Sequence, residues 1–116
     1  MRGFFKSLRA RLFDTTATSR EGPRYALQRV SEIPDRLKER TLYVMGKPKP
    51  WSVALLCPCG CKETIHISLL ENDSPSWSLQ IGQRNEPSLE PSIWRREGCR
   101  SHFFLSKGRV IWCRRR

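Results

Sequence analysis

Residues 55–67 run LLCPCGCKETIHI, and they put Cys57, Cys59 and Cys61 on alternate positions with Pro58 and Gly60 between them. Cysteines that merely fill a core have no need to cluster, whereas metal ligands do. Zinc takes four ligands at tetrahedral corners, with Zn–S near ~2.3 Å. Cysteines two apart reach one ion where the backbone turns between them. Pro58 restrains such a turn and Gly60 accepts a positive φ. The apolar, β-prone residues on either flank make the stretch a metal loop between two strands, with Zn2+ as the expected ion.

A second cluster lies far along the chain. REGCRSHFF (96–104) holds Cys99 and His102 three apart, again with a glycine before the cysteine. Five candidate ligands result: Cys57, Cys59, Cys61, Cys99 and His102, of which four suffice. The set expected first takes two thiolates from the first loop and adds Cys99 and His102. A four-cysteine set that frees His102 competes with it, and packed thiols without metal are the plainer alternative. Five cysteines, an odd number, fit a full disulfide framework poorly. The C-x-C and C-x-x-H pair also resembles the Rieske arrangement, in which two loops present C-x-H and C-x-x-H to a two-iron cluster. Here Cys61 replaces the defining histidine, which ranks iron–sulfur below zinc. Cys113 is expected as a packed side chain, and His66 as a surface or core-edge histidine.

Outward from these loops the periodicity is that of strands. TLYVM (41–45) is rich in β-formers and ends at Gly46 and a KPKP turn. WSVALL (51–56) and ETIHISLL (63–70) place Val53, Leu55, Ile65, Ile67 and Leu69 on alternate positions. WSLQI (77–81) alternates likewise, GQRNEPSLEPS (82–92) is expected as a loop with two prolines, and HFFLSKGRVIWC (102–113) as a hairpin turning at Gly108. Before them, YALQRVSEIPDRLKER (25–40) is expected as two short helical or extended pieces around Pro34. The fold class is therefore mainly β (α+β): a small antiparallel domain stapled by metal, with short N-terminal helical segments. Its bounds are 25–113, after a basic segment and linker (1–24) and before a basic tail (114–116).

The chain has 116 residues, 22 Lys and Arg against 11 Asp and Glu, and a net charge of +11. Residues 1–13 carry Arg2, Lys6, Arg9 and Arg11 among Phe4, Phe5, Leu8 and Leu12 at helical spacing, a short basic amphipathic helix. Such ends attract polyanions, acidic protein surfaces or anionic lipid. Nucleic acid is one candidate partner, through the basic termini and through Trp94, Phe103, Phe104 and Trp112 interleaved with Arg95, Arg96, Arg100 and Arg109. The alternative makes those aromatics core residues of the last hairpin. No apolar run approaches the ~20 residues of a membrane span, and the N-terminus lacks a signal-peptide pattern. A cytoplasmic protein with reduced thiols is expected.

The segments LYVMGKPKPWSVALLCPCGC, LEPSIW and GCRSHFFLSKGRVIWC together resemble a bacterial family that carries a Cys-Pro-Cys-Gly-Cys loop, a Pro-Ser-Ile segment and a Cys-x-Ser-His-Phe-Phe loop. The resemblance covers about residues 25–113 and omits the basic N-terminus. It implies a component of bacterial ubiquitin-like conjugation operons linked to antiphage defence. Its implied partners are a ubiquitin-like modifier and the conjugation enzymes, and its implied role is a peptidase that trims or removes the modifier.

A serine peptidase needs a hydroxyl within reach of a base, and a group that orients that base. Ser101 beside His102, with Glu63 as orienting or basic group, are the candidate catalytic residues, and Ser92 in the EPSIW segment is a further hydroxyl. If His102 binds metal it cannot also be the base. A four-cysteine site removes the conflict, as does a metal-bound water with Glu63 as its base. Ser101 also has a bland role open to it, as a loop hydroxyl beside the metal. A non-catalytic accessory subunit is the remaining alternative.

Overall fold

The computed structural model of the chain describes residues 24–113. The expected basic helix of residues 1–13, the linker before residue 24 and the tail 114–116 lie outside the described residues.

Among the described residues, eight strands form two four-stranded sheets. The first contains, in spatial order, β1 (Ala26–Val30), β2 (Thr41–Met45), β3 (Ser52–Leu56) and β4 (Thr64–Ser68). The second contains β5 (Ser78–Ile81), β6 (Pro87–Trp94), β7 (His102–Ser106) and β8 (Arg109–Trp112). All pairings are antiparallel except β1 with β2. Among the described residues no helix is long and apolar enough to cross a membrane.

Both sheets contribute to one core. Leu42, Val44, Val53, Leu55, Ile65 and Ile67 from the first sheet meet Leu89, Ile93, Phe103 and Leu105 from the second. In β4 and β7 the alternation expected from the sequence holds residue by residue. Ile65 and Ile67 point inward with His66 exposed, and Phe103 and Leu105 point inward with Phe104 exposed. The last hairpin closes on a two-residue turn, with Lys107 at φ 51° and Gly108 at φ 81°. Positive φ at both central residues suits the right-handed twist of the strands it joins. The tip of that hairpin also ties the sheets together, because Tyr25 N–H donates to Gly108 C=O at 2.6 Å.

Two expectations are corrected. Residues 25–40 contain no helix: 26–30 are β1, paired in parallel with β2 from Ala26↔Thr41 to Val30↔Met45. Pro34 cannot donate to a helical ladder, and the stretch after β1 returns through bends and turns, with Lys38 N–H donating to the Oη of buried Tyr43 at 2.8 Å. Residues 87–92, expected in a loop, belong to β6 despite two prolines. Pro87 opens the strand, and Pro91 falls where the β6–β7 register shifts between Leu89 and Ile93. Strand ends and bulges are the places where a missing N–H costs no ladder bond.

Candidate metal centre and reacting pair

The two cysteine loops are hairpin connections, one in each sheet. The first joins β3 to β4. Its neck is closed by Cys57 N–H to Glu63 C=O at 2.8 Å, and Gly60 (φ 96°) and Lys62 (φ 68°) turn the chain. The second joins β6 to β7, closed by Arg95 N–H to Ser101 C=O at 2.7 Å, with Gly98 (φ 71°) and Arg100 (φ 59°) turning it.

These loops bring Cys57, Cys59, Cys61 and Cys99 together, with all four sulfur atoms within 4.8 Å of one another. Cys57 Sγ lies 3.5 Å from Cys59 Sγ and 3.5 Å from Cys99 Sγ, and all four are free thiols. The edges of a tetrahedron with ~2.3 Å Zn–S bonds are about 3.8 Å, so this group of sulfurs fits one tetrahedral ion. A metal held here staples the end of one sheet to the end of the other.

The surroundings favour thiolate. Ser101 Oγ lies 3.1 Å from Cys99 Sγ and 3.6 Å from Cys57 Sγ. Arg95 Nη1 lies 3.6 Å from Cys61 Sγ and 3.6 Å from Cys99 Sγ, while its Nη2 donates to Glu63 Oε1 at 2.7 Å. The Ser101 hydroxyl is the main influence holding the Cys99 and Cys59 thiols below their ordinary range. Burial pushes the Cys57 thiol the other way. That opposition is what a metal removes, since it replaces the protons the cluster would otherwise share.

His102 lies outside this group. Its Nε2 is 2.8 Å from Ser92 Oγ, across the sheet on β6. Ile93 and Phe103 point into the core, so Ser92 and His102 share the opposite, outer face. Their meeting depends on a bulge. Leu89 pairs with Leu105 and Ile93 with Phe103, so Glu90, Pro91 and Ser92 stand against the single residue Phe104. A bulge re-aims side chains, and here it places Ser92 against the imidazole. Trp77 Nε1 donates to Ser92 C=O at 3.2 Å, fixing the backbone below the hydroxyl. Trp94 stacks on the His102 ring with centroids 4.8 Å apart and planes at 14°. Arg96 lies over the Trp94 ring, 4.6 Å from its centroid.

Of the catalytic candidates from the sequence, Ser101 and His102 are neighbours in the chain but not partners in space, and the Glu63 carboxylate is engaged by Arg95. Among the described residues no carboxylate bonds the His102 ring, and the hydroxyl that reaches it is that of Ser92. Of the four aromatics interleaved with arginines, Phe103 is in the core, whereas Trp94, Phe104 and Trp112 are exposed, Trp94 stacking on His102 with Arg96 over its ring.

A family model described as "Bacterial ubiquitination-like system serine protease (BubE)" matches residues 29–113. That span contains the four clustered cysteines, Ser92 and His102. No curated protein matches the chain, and no solved structure does.

Proposed function

The chain belongs to the BubE family of bacterial ubiquitination-like system serine proteases, and from that premise we propose that Ser92 is its nucleophile and His102 its general base. The substrate is a ubiquitin-like modifier, cleaved at or near its C-terminus or released from a target. The observation that carries this reading is the 2.8 Å separation of Ser92 Oγ and His102 Nε2, on a sheet that holds both backbones rigidly.

With the ring proton on Nδ1, Nε2 accepts the hydroxyl proton as Ser92 Oγ attacks the scissile carbonyl. The imidazolium then returns a proton to the leaving group, and water hydrolyses the acyl-serine by the same steps. In a triad a carboxylate orients the base. In this chain Trp94 fixes the ring plane by stacking, and Arg96 backs Trp94.

Cys57, Cys59, Cys61 and Cys99 would hold zinc. A four-thiolate site leaves no open position and supplies a structural cross-link rather than Lewis-acid chemistry. The cross-link acts on catalysis through position, because Ser101 braces the sulfur cluster and the next residue is the base.

The test is cleavage of the C-terminally extended modifier, followed by mass spectrometry. Ser92→Ala and His102→Ala are expected to reduce the rate at least about a thousandfold, with Ser101→Ala retaining turnover. A Ser92→Ala variant that cleaves at the wild-type rate would remove the assignment.

A further inference from the structure

Among the described residues, Ser92 and His102 lie half-buried on an outer sheet face, so the surface around them must bring the substrate to the hydroxyl. Two large apolar side chains share that face. Phe104 follows His102 by two residues along β7, and Ile111 is its cross-strand partner on β8. They are 42% and 41% exposed. Phe104 also fills the register gap opposite Glu90, Pro91 and Ser92, which places it beside the strand segment that carries the hydroxyl. A contiguous apolar pair on the outer face of an alternating strand departs from the polar-out pattern and marks a contact surface.

We propose that Phe104 and Ile111 form the docking step for an apolar residue of the modifier's extended C-terminal tail, adjacent to the bond that Ser92 attacks. This rests on the serine protease reading above. A tail fits where a globular surface does not, because the hydroxyl sits on a sheet face and only an extended chain can lay a peptide bond along it. Charge supports the same occupant. On that face Arg96 lies over the Trp94 ring that stacks on His102, and Arg109 precedes Ile111 by two residues on β8. The exposed Glu90 of β6 is the acid opposite Phe104. Two bases against one acid around the apolar pair favour a tail that ends in a carboxylate.

The experiment measures anisotropy of the fluorescently labelled modifier titrated with the full chain bearing Ser92→Ala, which binds without turnover. In that background Phe104→Ser with Ile111→Ser is expected to weaken binding about tenfold or more. Phe104→Leu stays near the parent, as does Leu70→Ser, an exposed leucine following β4. Circular dichroism and bound metal check that each variant is folded. Removing the modifier's C-terminal tail is expected to abolish binding to the parent. Unchanged affinity in the Phe104/Ile111 double variant, or undiminished binding of the tailless modifier, overturns the proposal. So does a dimer in sedimentation that the double variant breaks, since the face then belongs to a second copy. In the Ser92-intact chain the double variant is expected to raise KM about tenfold with kcat little changed. If Ser92→Ala fails to stop cleavage while the binding results hold, the assignment of Ser92 as nucleophile falls and the docking face stands.

Discussion

Ser101 and His102 are joined by one peptide bond and serve opposite sides of the sheet: the Ser101 hydroxyl lies 3.1 Å from Cys99 Sγ, and the His102 imidazole lies 2.8 Å from Ser92 Oγ. Ser101 ends the cysteine loop, its C=O held by Arg95 N–H, and His102 opens β7 with its side chain on the face opposite Phe103. The sulfur cluster and the reacting pair are thus distinct in space yet share a rigid stretch of backbone. On the proposed assignment, what loosens the cluster is expected to loosen the base.

The first consequence concerns the metal. Cys57→Ser or Cys99→Ser is expected to reduce bound zinc from about one equivalent to a small fraction and to lower stability by about 3 kcal/mol or more. Chelation of the wild type produces the same loss, restored by added zinc. Elemental analysis and thermal unfolding measure both. Cys113→Ser, whose thiol is not in the cluster, keeps the full equivalent. Peptidase activity is expected to fall with the metal although the four clustered thiols bond one another, Ser101 and Arg95 rather than Ser92 or His102. Full activity in a metal-free, folded chain would show that the two sites are independent.

Ser101→Ala separates bracing from chemistry. Losing the hydroxyl removes the main influence that holds the Cys99 thiol down, so the thiolate becomes costlier to form in the absence of metal. Zinc affinity is expected to weaken about tenfold to a hundredfold, the usual scale for a group that hydrogen-bonds a ligand. Competition with a chromophoric chelator measures it. At saturating zinc, turnover stays close to wild type. A dead, zinc-loaded Ser101→Ala protein would restore Ser101 as nucleophile.

Much of this architecture was legible in the sequence, and the misses have a common cause. The strands 41–45, 64–68 and 102–106 announce themselves by composition and alternation, and the hairpin turn by its Lys-Gly pair. The two cysteine loops were visible from spacing alone. What local pattern could not supply was pairing. Ala26–Val30 becomes a strand because β2 offers it a parallel edge, not because its own residues alternate. Pro87–Trp94 becomes a strand because its prolines fall at a strand end and in a bulge. Ser92 reaches His102 only through that register shift, so nothing within the EPSIW segment names its partner. The parity of Ser101 and His102 was the one available clue: if the hydroxyl faces the metal, the imidazole faces away.

Trp94 carries the next prediction. Its ring is parallel to the imidazole, and such a stack contributes about 0.5–1.5 kcal/mol beyond area burial. Trp94→Ala is expected to lower kcat about threefold to tenfold with KM nearly unchanged, because a freely rotating base spends less time aligned with Ser92. Trp94→Phe recovers most of the rate. A merely structural tryptophan would show the opposite division: reduced melting temperature, unaltered kcat in the folded fraction, and no rescue by phenylalanine.

Gly46 tests the first sheet, far along the chain from the chemistry. It ends β2 at φ +124°, a conformation that side chains rarely adopt, and a Cβ there would lie 2.7 Å from Trp51 N and 2.7 Å from Trp51 Cε3. The first of these atoms is backbone and cannot step aside. It is held in place because Trp51 N–H donates to Met45 C=O at 2.9 Å, closing the connection into β3. Gly46→Ala therefore combines left-handed strain with a clash against a hydrogen-bonded strand entry, and is expected to cost about 2–4 kcal/mol. Gly60→Ala makes the useful contrast, since its φ of +96° is likewise positive but open space surrounds the added Cβ. It is expected to cost about 1–2 kcal/mol from strain alone. Chemical denaturation of the zinc-loaded proteins reads the difference, and a Gly46→Ala chain as stable as Gly60→Ala would mean that Trp51 does not hold the strand entry in place.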